Sequence, residues 1–451
     1  MEKTKEMADY LDEHDPLKNF RSKFQIPTIG ELKKHLGEEE CNNNTEVIYL
    51  CTNSLGLPPK STKENLEKVM ESWRVLGVLS HTHGVSPTEA SDIKPKNFLA
   101  EHVVGALPDE VAVMESLTSN IHTLLAAFYK PDGLKNKILI EKNAFPSDYY
   151  AVESQMHIRG VEKSSLIEID LRPKGNYLTK WEIAEVITNN ANELALVWLP
   201  GVSYLTGQKL DIPFITQHVH EVAKCPIGFD LAHSVGNVEI QLHDWDVDFA
   251  AWCGYKYLCG SPGGCAGIFV HEKHHMSNGE FAPTKKYAYG PELTGWWGHR
   301  YSTRFQMKNV MEVEGGADSY RRSCPSMLLN SALTSSLMIF QEAGGMKALV
   351  EKSAKLTQFF VSLLTTGPEA EELGLELISP ASLNDRGSQI SIKTNVDVEE
   401  LYSRLIMRGV ICDTRKPCYI RLAPFALYNS FNDVYKAAKI IIEEIKIVSK
   451  S

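Results

Sequence analysis

A chain of 451 residues that is 43% hydrophobic is long enough to bury a large core, and it exceeds the usual size of one domain, so two domains are expected. Its 47 Lys+Arg against 57 Asp+Glu give a net charge of -10 with neither sign gathered into a long block, which excludes a basic grip on nucleic acid or an anionic membrane and favours small-molecule work. Met1–Phe20 is rich in charge (Glu2, Lys3, Lys5, Glu6, Asp9, Asp12, Glu13) and lacks the apolar core of a signal peptide, and no later run approaches a membrane span, so the expectation is a soluble, cytoplasmic protein.

Residues 1–65 are too short and polar to fold alone and are expected to pack on the C-terminal part of the chain. From 66 to about 310, short apolar runs alternate with stretches of helical period, the pattern of parallel strands joined by crossover helices, and the fold class is α/β. The strand candidates are Glu110 to Met114, Lys137 to Glu141, Ser165 to Asp170, Leu194 to Leu199, Pro226 to Ala232, Phe249 to Tyr255 and Gly267 to His271. Between them lie helix candidates Ser119 to Lys130, Ser147 to Arg159, Lys180 to Asn189 and Pro213 to Lys224. From 311 to 451 the rhythm changes to long helices, Ser326 to Glu342 and Lys347 to Leu364. A smaller α+β domain follows from strands Gln389 to Lys393 and Tyr419 to Ala423 with helices Val398 to Arg408 and Asp433 to Ile447.

Nine cysteines (Cys41, Cys51, Cys225, Cys253, Cys259, Cys265, Cys324, Cys412, Cys418) are scattered without a CxxC pair, so reduced thiols are expected. Cys253, Cys259 and Cys265 recur every six residues, a wider spacing than zinc ligand pairs use, and no metal is expected there. His271, His274 and His275 read as a solvated turn.

The most informative stretch is Ile227–Gly267, where one apolar strand ends in Asp230 and the next in Tyr255 and Lys256. Side chains at the carboxyl ends of parallel strands face a ligand crevice, so Asp230 and Lys256 can meet one cofactor. An amine drawn out of water after an apolar strand is suited to attack an aldehyde, and a carboxylate beside a pyridine nitrogen keeps that nitrogen protonated. Taken singly, Asp230 reads as a helix cap and Lys256 as an ordinary strand-end lysine; together, in this order, they point to pyridoxal phosphate. Leu117, Thr118, Ser119 and Asn120 sit where a helix begins and offer donors for a phosphate. Phe145 can stack on a pyridine face and Asp148 can bond its edge, within Ala144-Phe145-Pro146-Ser147-Asp148.

In sequence order, Ile48–Leu57 (IYLCTNSLGL), Ala144–Asp148 with Tyr150–Gln155, Gly228–Glu239 (GFDLAHSVGNVE), His243–Trp245, Tyr255–Leu258, Gly295–His299 (GWWGH) with Ser302–Phe305, and Arg421 with Leu427–Phe431 resemble the kynureninase family from about residue 47 to 440. The resemblance implies a fold-type I enzyme of the aminotransferase class V kind, with a large domain built on a mostly parallel seven-stranded sheet and a smaller α+β domain. It implies Lys256 as the Schiff-base lysine, Asp230 against the pyridine nitrogen, and Tyr255 as proton donor. Cofactor contacts are implied for Leu117, Thr118, Phe145, Pro146, Ser147, Asp148, His233, Tyr255 and Trp296. Arg421 would clamp the substrate carboxylate, with Ser54, His81 and Cys324 near the substrate's aromatic end. The implied reaction, part of tryptophan catabolism, hydrolyses the Cβ–Cγ bond of L-kynurenine or 3-hydroxykynurenine to alanine and an anthranilate, in a homodimer whose active site lies at the subunit boundary.

Four positions depart from the family's animal pattern. Cys324 replaces asparagine, Pro200 replaces serine, Leu205 replaces tyrosine, and Thr88 stands where tryptophan follows Pro87. A thiol hydrogen-bonds far more weakly than an amide, so substrate choice is open to change. A cysteine desulfurase or aminotransferase of the same fold is the rival enzyme, and a silent binding protein the rival outside enzymes.

Overall fold

The computed structural model describes residues 5–38, 42–172, 177–275, 289–366, 370 and 372–450. Cys41 lies outside them. Ile48–Tyr49 forms a short β1; the main sheet follows with β2 (Val111–Met114), β3 (Lys137–Glu141), β4 (Leu166–Ile169), β5 (Leu194–Pro200), β6 (Ile227–Asp230), β7 (Phe249–Cys253) and β8 (Ala266–Val270). Their order is β2-β8-β7-β6-β5-β3-β4, parallel throughout except that β8 runs against both β2 and β7.

The apolar runs are continuous because both faces of the sheet are covered. Val111 and Val113 enter one core with Leu139, Val197, Phe229 and Trp252; their neighbours Ala112 and Met114 enter a second with Ile138, Trp198, Phe249 and Ala251. That strict alternation is the period-two geometry of a strand buried on each side. On the second face Phe249 stacks between Phe128 and Trp198, with ring centroids 4.2 and 5.6 Å away. The crossover helices include Leu117–Phe128, Pro146–Ile158 and Lys180–Asn190. The expected helix Pro213 to Lys224 divides into an α-helix, Ile212–His218, and a wider π turn, Val219–Ala223, that ends on Lys224 in the left-handed region.

Strands β9 (Glu376–Leu377), β10 (Ile390–Lys393), β11 (Val410–Ile411), β12 (Asp413–Arg415) and β13 (Tyr419–Leu422) lie in the C-terminal part, where β12-β13-β10-β9 form an antiparallel sheet. The N-terminal segment packs here: β1 pairs with β11, and Ala8 shares a core with Phe360, Leu401 and Ile441. Asp12 accepts the backbone N–H bonds of Phe431 (2.6 Å) and Asn432 (3.0 Å), capping the last helix, Phe431–Val448, from outside. A buried ion pair between Lys352 and Asp15, at 2.7 Å, ties the same segment down.

His271, His274 and His275 are not a solvated turn. His271 is buried, His274 Nε2 lies 2.7 Å from Asp248 Oδ1, and His275 Nε2 lies 3.0 Å from the Val270 carbonyl. Two carboxylates, Glu110 and Asp248, are buried at this end of the sheet, and burying a charge without donors is costly. Glu110 accepts backbone N–H bonds from Leu107 (2.9 Å) and Glu272 (2.8 Å) and lies 3.0 Å from Nδ1 of His243, whose pKa it raises through that hydrogen bond. No helix among the described residues is long and apolar enough to cross a membrane.

Candidate active site

At the carboxyl ends of β3, β5, β6 and β7 the sheet opens into a cleft with about 140 Å³ of free space, placed where open α/β sheets bind their ligands. The chain turns off β6 because Asp230 Oδ1 accepts the N–H of Ala232 at 2.8 Å, which leaves the rest of its carboxyl in the cleft. Beyond β7, Tyr255 and Lys256 enter the same space. Gly56 permits this loop to close: its N–H donates to the Tyr255 carbonyl at 2.9 Å, and a Cβ there would stand 2.5 Å from the Lys256 carbonyl.

Lys256 Nζ lies 3.0 Å from His233 Nε2 and 5.8 Å from the centre of the Phe145 ring. Burial, and after it the charge of Lys256, push the pKa of His233 well down, so its imidazole is neutral and Nε2 accepts from the amine. Beneath them, Asp148 Oδ1 accepts the indole N–H of Trp198 at 2.8 Å, while Oδ2 meets no donor and faces the Asp230 carboxyl. Burial raises both acids. Asp148 goes well up, pushed further by Asp230; Asp230 is raised less because the Lys256 charge opposes its burial. Two carboxyls facing each other are stable only with a proton or a cation between them.

Pyridoxal phosphate is a group whose needs these residues meet. Its aldehyde needs an amine, supplied by Lys256; its protonated pyridine nitrogen needs anionic acceptors, supplied by the Asp230–Asp148 pair, whose Oδ2 lacks a donor. Its phosphate needs N–H groups at a helix start. Ser116, Leu117 and Thr118 line the cleft where helix Leu117–Phe128 begins. Phe145 and Ser147 line it too, whereas Pro146 serves as the first residue of helix Pro146–Ile158. The residues fit the group.

Arg421 lies beside the cleft, 1% exposed, its Nη1 donating to the carbonyl of the cleft residue Tyr204 at 2.6 Å. Ser54, His81, Trp296 and Cys324 are exposed and do not line the cleft of their own chain. His81 Nδ1 lies 3.2 Å from Oγ1 of the buried Thr88, and Trp296 Nε1 donates to the Arg304 carbonyl at 3.3 Å. Burial raises the Cys324 thiol, which keeps it un-ionised and a poor nucleophile of the desulfurase kind. Of the departures, Pro200 lines the cleft and Leu205 does not; the Leu205 carbonyl accepts from Ser391 Oγ at 2.6 Å.

Sequence reasoning missed Glu141, Trp198 and Tyr204, all of which line the cleft. Glu141 carried a visible signal, a carboxylate closing the apolar run of β3. Its carboxyl accepts from Ser203 Oγ at 3.1 Å, and burial pushes its pKa up to about 8, so it is largely protonated at neutral pH.

The chain is similar to known proteins over most of its length. The family model "Kynureninase C-terminal domain" matches residues 349–441 and "Aminotransferase class-V" matches residues 93–282. Curated kynureninases are similar over nearly the whole chain. That of Schistosoma japonicum is 42% identical over 421 residues, covering 89% of this chain and 95% of its own; that of Rattus norvegicus is 41% identical, covering 96% and 91%. Among solved structures, a mutant of C-DES with glycine covalently linked to the PLP cofactor superposes with a TM-score of 0.73 at 15% identity, covering 88% of this chain and 96% of that one. The cysteine desulfurase of Thermococcus onnurineus NA1 gives 0.69 at 14%, covering 90% and 95%. At such identities the structures speak for the fold, the fold-type I architecture, and the curated relatives for the family. The chain belongs to the kynureninase family.

Proposed function

We propose that this chain is a hydrolase that cleaves the Cβ–Cγ bond of L-kynurenine, 3-hydroxy-L-kynurenine or both, releasing L-alanine and the matching anthranilate, with pyridoxal phosphate held on Lys256. The observation that carries the reading is the convergence of Lys256, neutral His233 and the Asp148–Asp230 pair in one cleft of a chain so similar to curated kynureninases. Pyridoxal phosphate, when bound, supplies an aldehyde for the lysine and a ring that accepts electrons from the substrate's Cα.

The chain's own groups divide the remaining work. Asp230, the acid that Lys256 keeps closer to ionisation, holds negative charge at the base of the cleft, and protonated Asp148 shares its proton with it. His233 holds the Lys256 amine at Nε2; once the lysine is released, the same amine moves protons at the substrate's Cα. Leu117 and Thr118 bind the phosphate at their helix start, and Phe145 covers a ring face. Tyr255, its phenol pushed up by burial, keeps its proton at neutral pH and serves as the donor. Arg421 binds the substrate carboxylate. Water adds to the γ-carbonyl carbon, the Cβ–Cγ bond breaks with its electron pair on Cβ, and Cβ takes up a proton while the aryl fragment leaves as a carboxylate.

Ser54, His81, Trp296 and Cys324 then belong to a site completed by a second copy of the chain, in a cytoplasmic homodimer. Their exposure in one chain supports that arrangement. Mass spectrometry of products from kynurenine and 3-hydroxykynurenine, incubated side by side, tests the reaction: alanine with either anthranilate is expected, and release of sulfide from cysteine with no anthranilate from either substrate would replace this reading with desulfurase chemistry.

A further inference from the structure

Arg421 does not reach the cleft as a free side chain. Asp413 of β12 stands directly opposite Arg421 of β13 in the antiparallel register. The Asp413 carboxylate takes one whole edge of the guanidinium, with Nε donating to Oδ1 at 2.6 Å and Nη2 donating to Oδ2. Nη1 donates to the Tyr204 carbonyl at 2.6 Å, and that carbonyl also accepts from Gln389 Nε2 at 2.9 Å, so the third anchor is itself fixed. A guanidinium carries five N–H groups in one plane. Three are used here, which leaves two, one on each terminal nitrogen.

The charges point the same way. Asp413 also lies 3.6 Å from Arg415, whose Nη1 donates to the Thr414 carbonyl at 2.7 Å. Arg415, Asp413 and Arg421 together carry one net positive charge. The nearby His233 adds none, because burial and the lysine and arginine charges keep it neutral. One incoming carboxylate balances the group; a second would leave an uncompensated anion, which is costly away from water.

We propose that Asp413 is the positioning residue of the carboxylate clamp: it fixes the plane of Arg421 and, with Arg415, leaves the single positive charge that one substrate carboxylate neutralises. The proposal rests on the reading of Arg421 as the clamp. It gives the site a preference for amino acids with one carboxylate at this end, and it assigns Asp413 to binding, separate from proton transfer at Lys256.

The test is steady-state kinetics of the holoenzyme with kynurenine for Asp413→Asn, Asp413→Glu and Arg421→Lys, each checked for visible absorbance of bound pyridoxal phosphate. Asp413→Asn is expected to raise KM about 10- to 100-fold with kcat within about threefold and the absorbance retained, since the lost interaction acts on ground state and transition state alike. Asp413→Glu, which keeps the charge and moves it by one methylene, is expected to fall between the two and serves if the asparagine variant does not fold. A product analogue tests the cause: inhibition by alanine should weaken in Asp413→Asn, and inhibition by ethylamine, which lacks the carboxylate, should not. If Arg421→Lys leaves KM unchanged, the clamp reading itself fails. If Arg421→Lys raises KM while the folded Asp413 variants leave it unchanged, or if they lower kcat and lose absorbance without raising KM, the positioning role of Asp413 is overturned.

Discussion

Two groups of residues with equal standing in the sequence differ sharply in the fold. Lys256, His233, Asp148 and Asp230 meet one another inside a single cleft, where burial is the largest influence on His233 and on both acids. Ser54, His81, Trp296 and Cys324 stand exposed, and Trp296 keeps 47% of its surface open. The difference separates residues that converge within one chain from residues, the expected cofactor contact Trp296 among them, that act on the proposed reading only when a second copy covers them.

The largest expected effect tests the closed group. Lys256→Ala should lower turnover by about 10³-fold or more, because in the proposed function the amine both binds the cofactor and moves protons; a variant that keeps the parent's activity would show that the lysine is misassigned. Asp230→Asn should lower kcat by about 10²- to 10³-fold, since an amide cannot hold a protonated ring nitrogen in place by charge. The open group is tested by mixing. Chains with Trp296→Ala and chains with Lys256→Ala, unfolded and refolded together, should regain activity above either parent if one copy completes the other's site. No gain would leave Trp296 without a role in catalysis across subunits.

A smaller effect concerns Glu141, which borders the closed group. Its folded pKa, about 8, is raised above the ordinary 4.5, so the stability it contributes is fully present below about pH 4.5 and is lost as pH rises through about 8. The full effect is on the order of 5 kcal/mol. Melting temperatures of ligand-free Glu141→Gln between pH 5 and 9 should therefore fall less steeply than those of the parent; parallel curves would place Glu141 in a more solvated setting than the fold shows. The smallest change is expected from Cys324→Asn, which should shift the ratio of kcat/KM for the two kynurenines by up to about tenfold, the worth of one hydrogen bond. An unchanged ratio would remove Cys324 from the ring-binding end.

The main sheet was legible because its central strands are buried on both faces and read as apolar runs, whereas the edge strand β4 carries the exposed Glu168; the expected strand Lys137 to Glu141 is β3 residue for residue. Ends were less legible. β6 stops at Asp230, two residues early, because the Asp230 side chain captures the Ala232 N–H, a local bond that composition does not reveal. Lys256 and Asp230 were readable as strand-end residues, but the pairing of Asp148 with Asp230 depends on where helix Pro146–Ile158 docks over the sheet. Asp413 gave no signal at all, since its meaning comes from the cross-strand register with Arg421. His271 and His274 misled for the same reason: their carboxylate partners, Glu110 and Asp248, are set by tertiary structure.

The most direct test is reduction of the protein with borohydride after addition of pyridoxal phosphate, followed by peptide mapping. Visible absorbance that reduction abolishes, with the pyridoxyl mass on the peptide containing Lys256, is the expected result. A protein that stays colourless, or a label confined to another lysine, would contradict the assignment of the cleft.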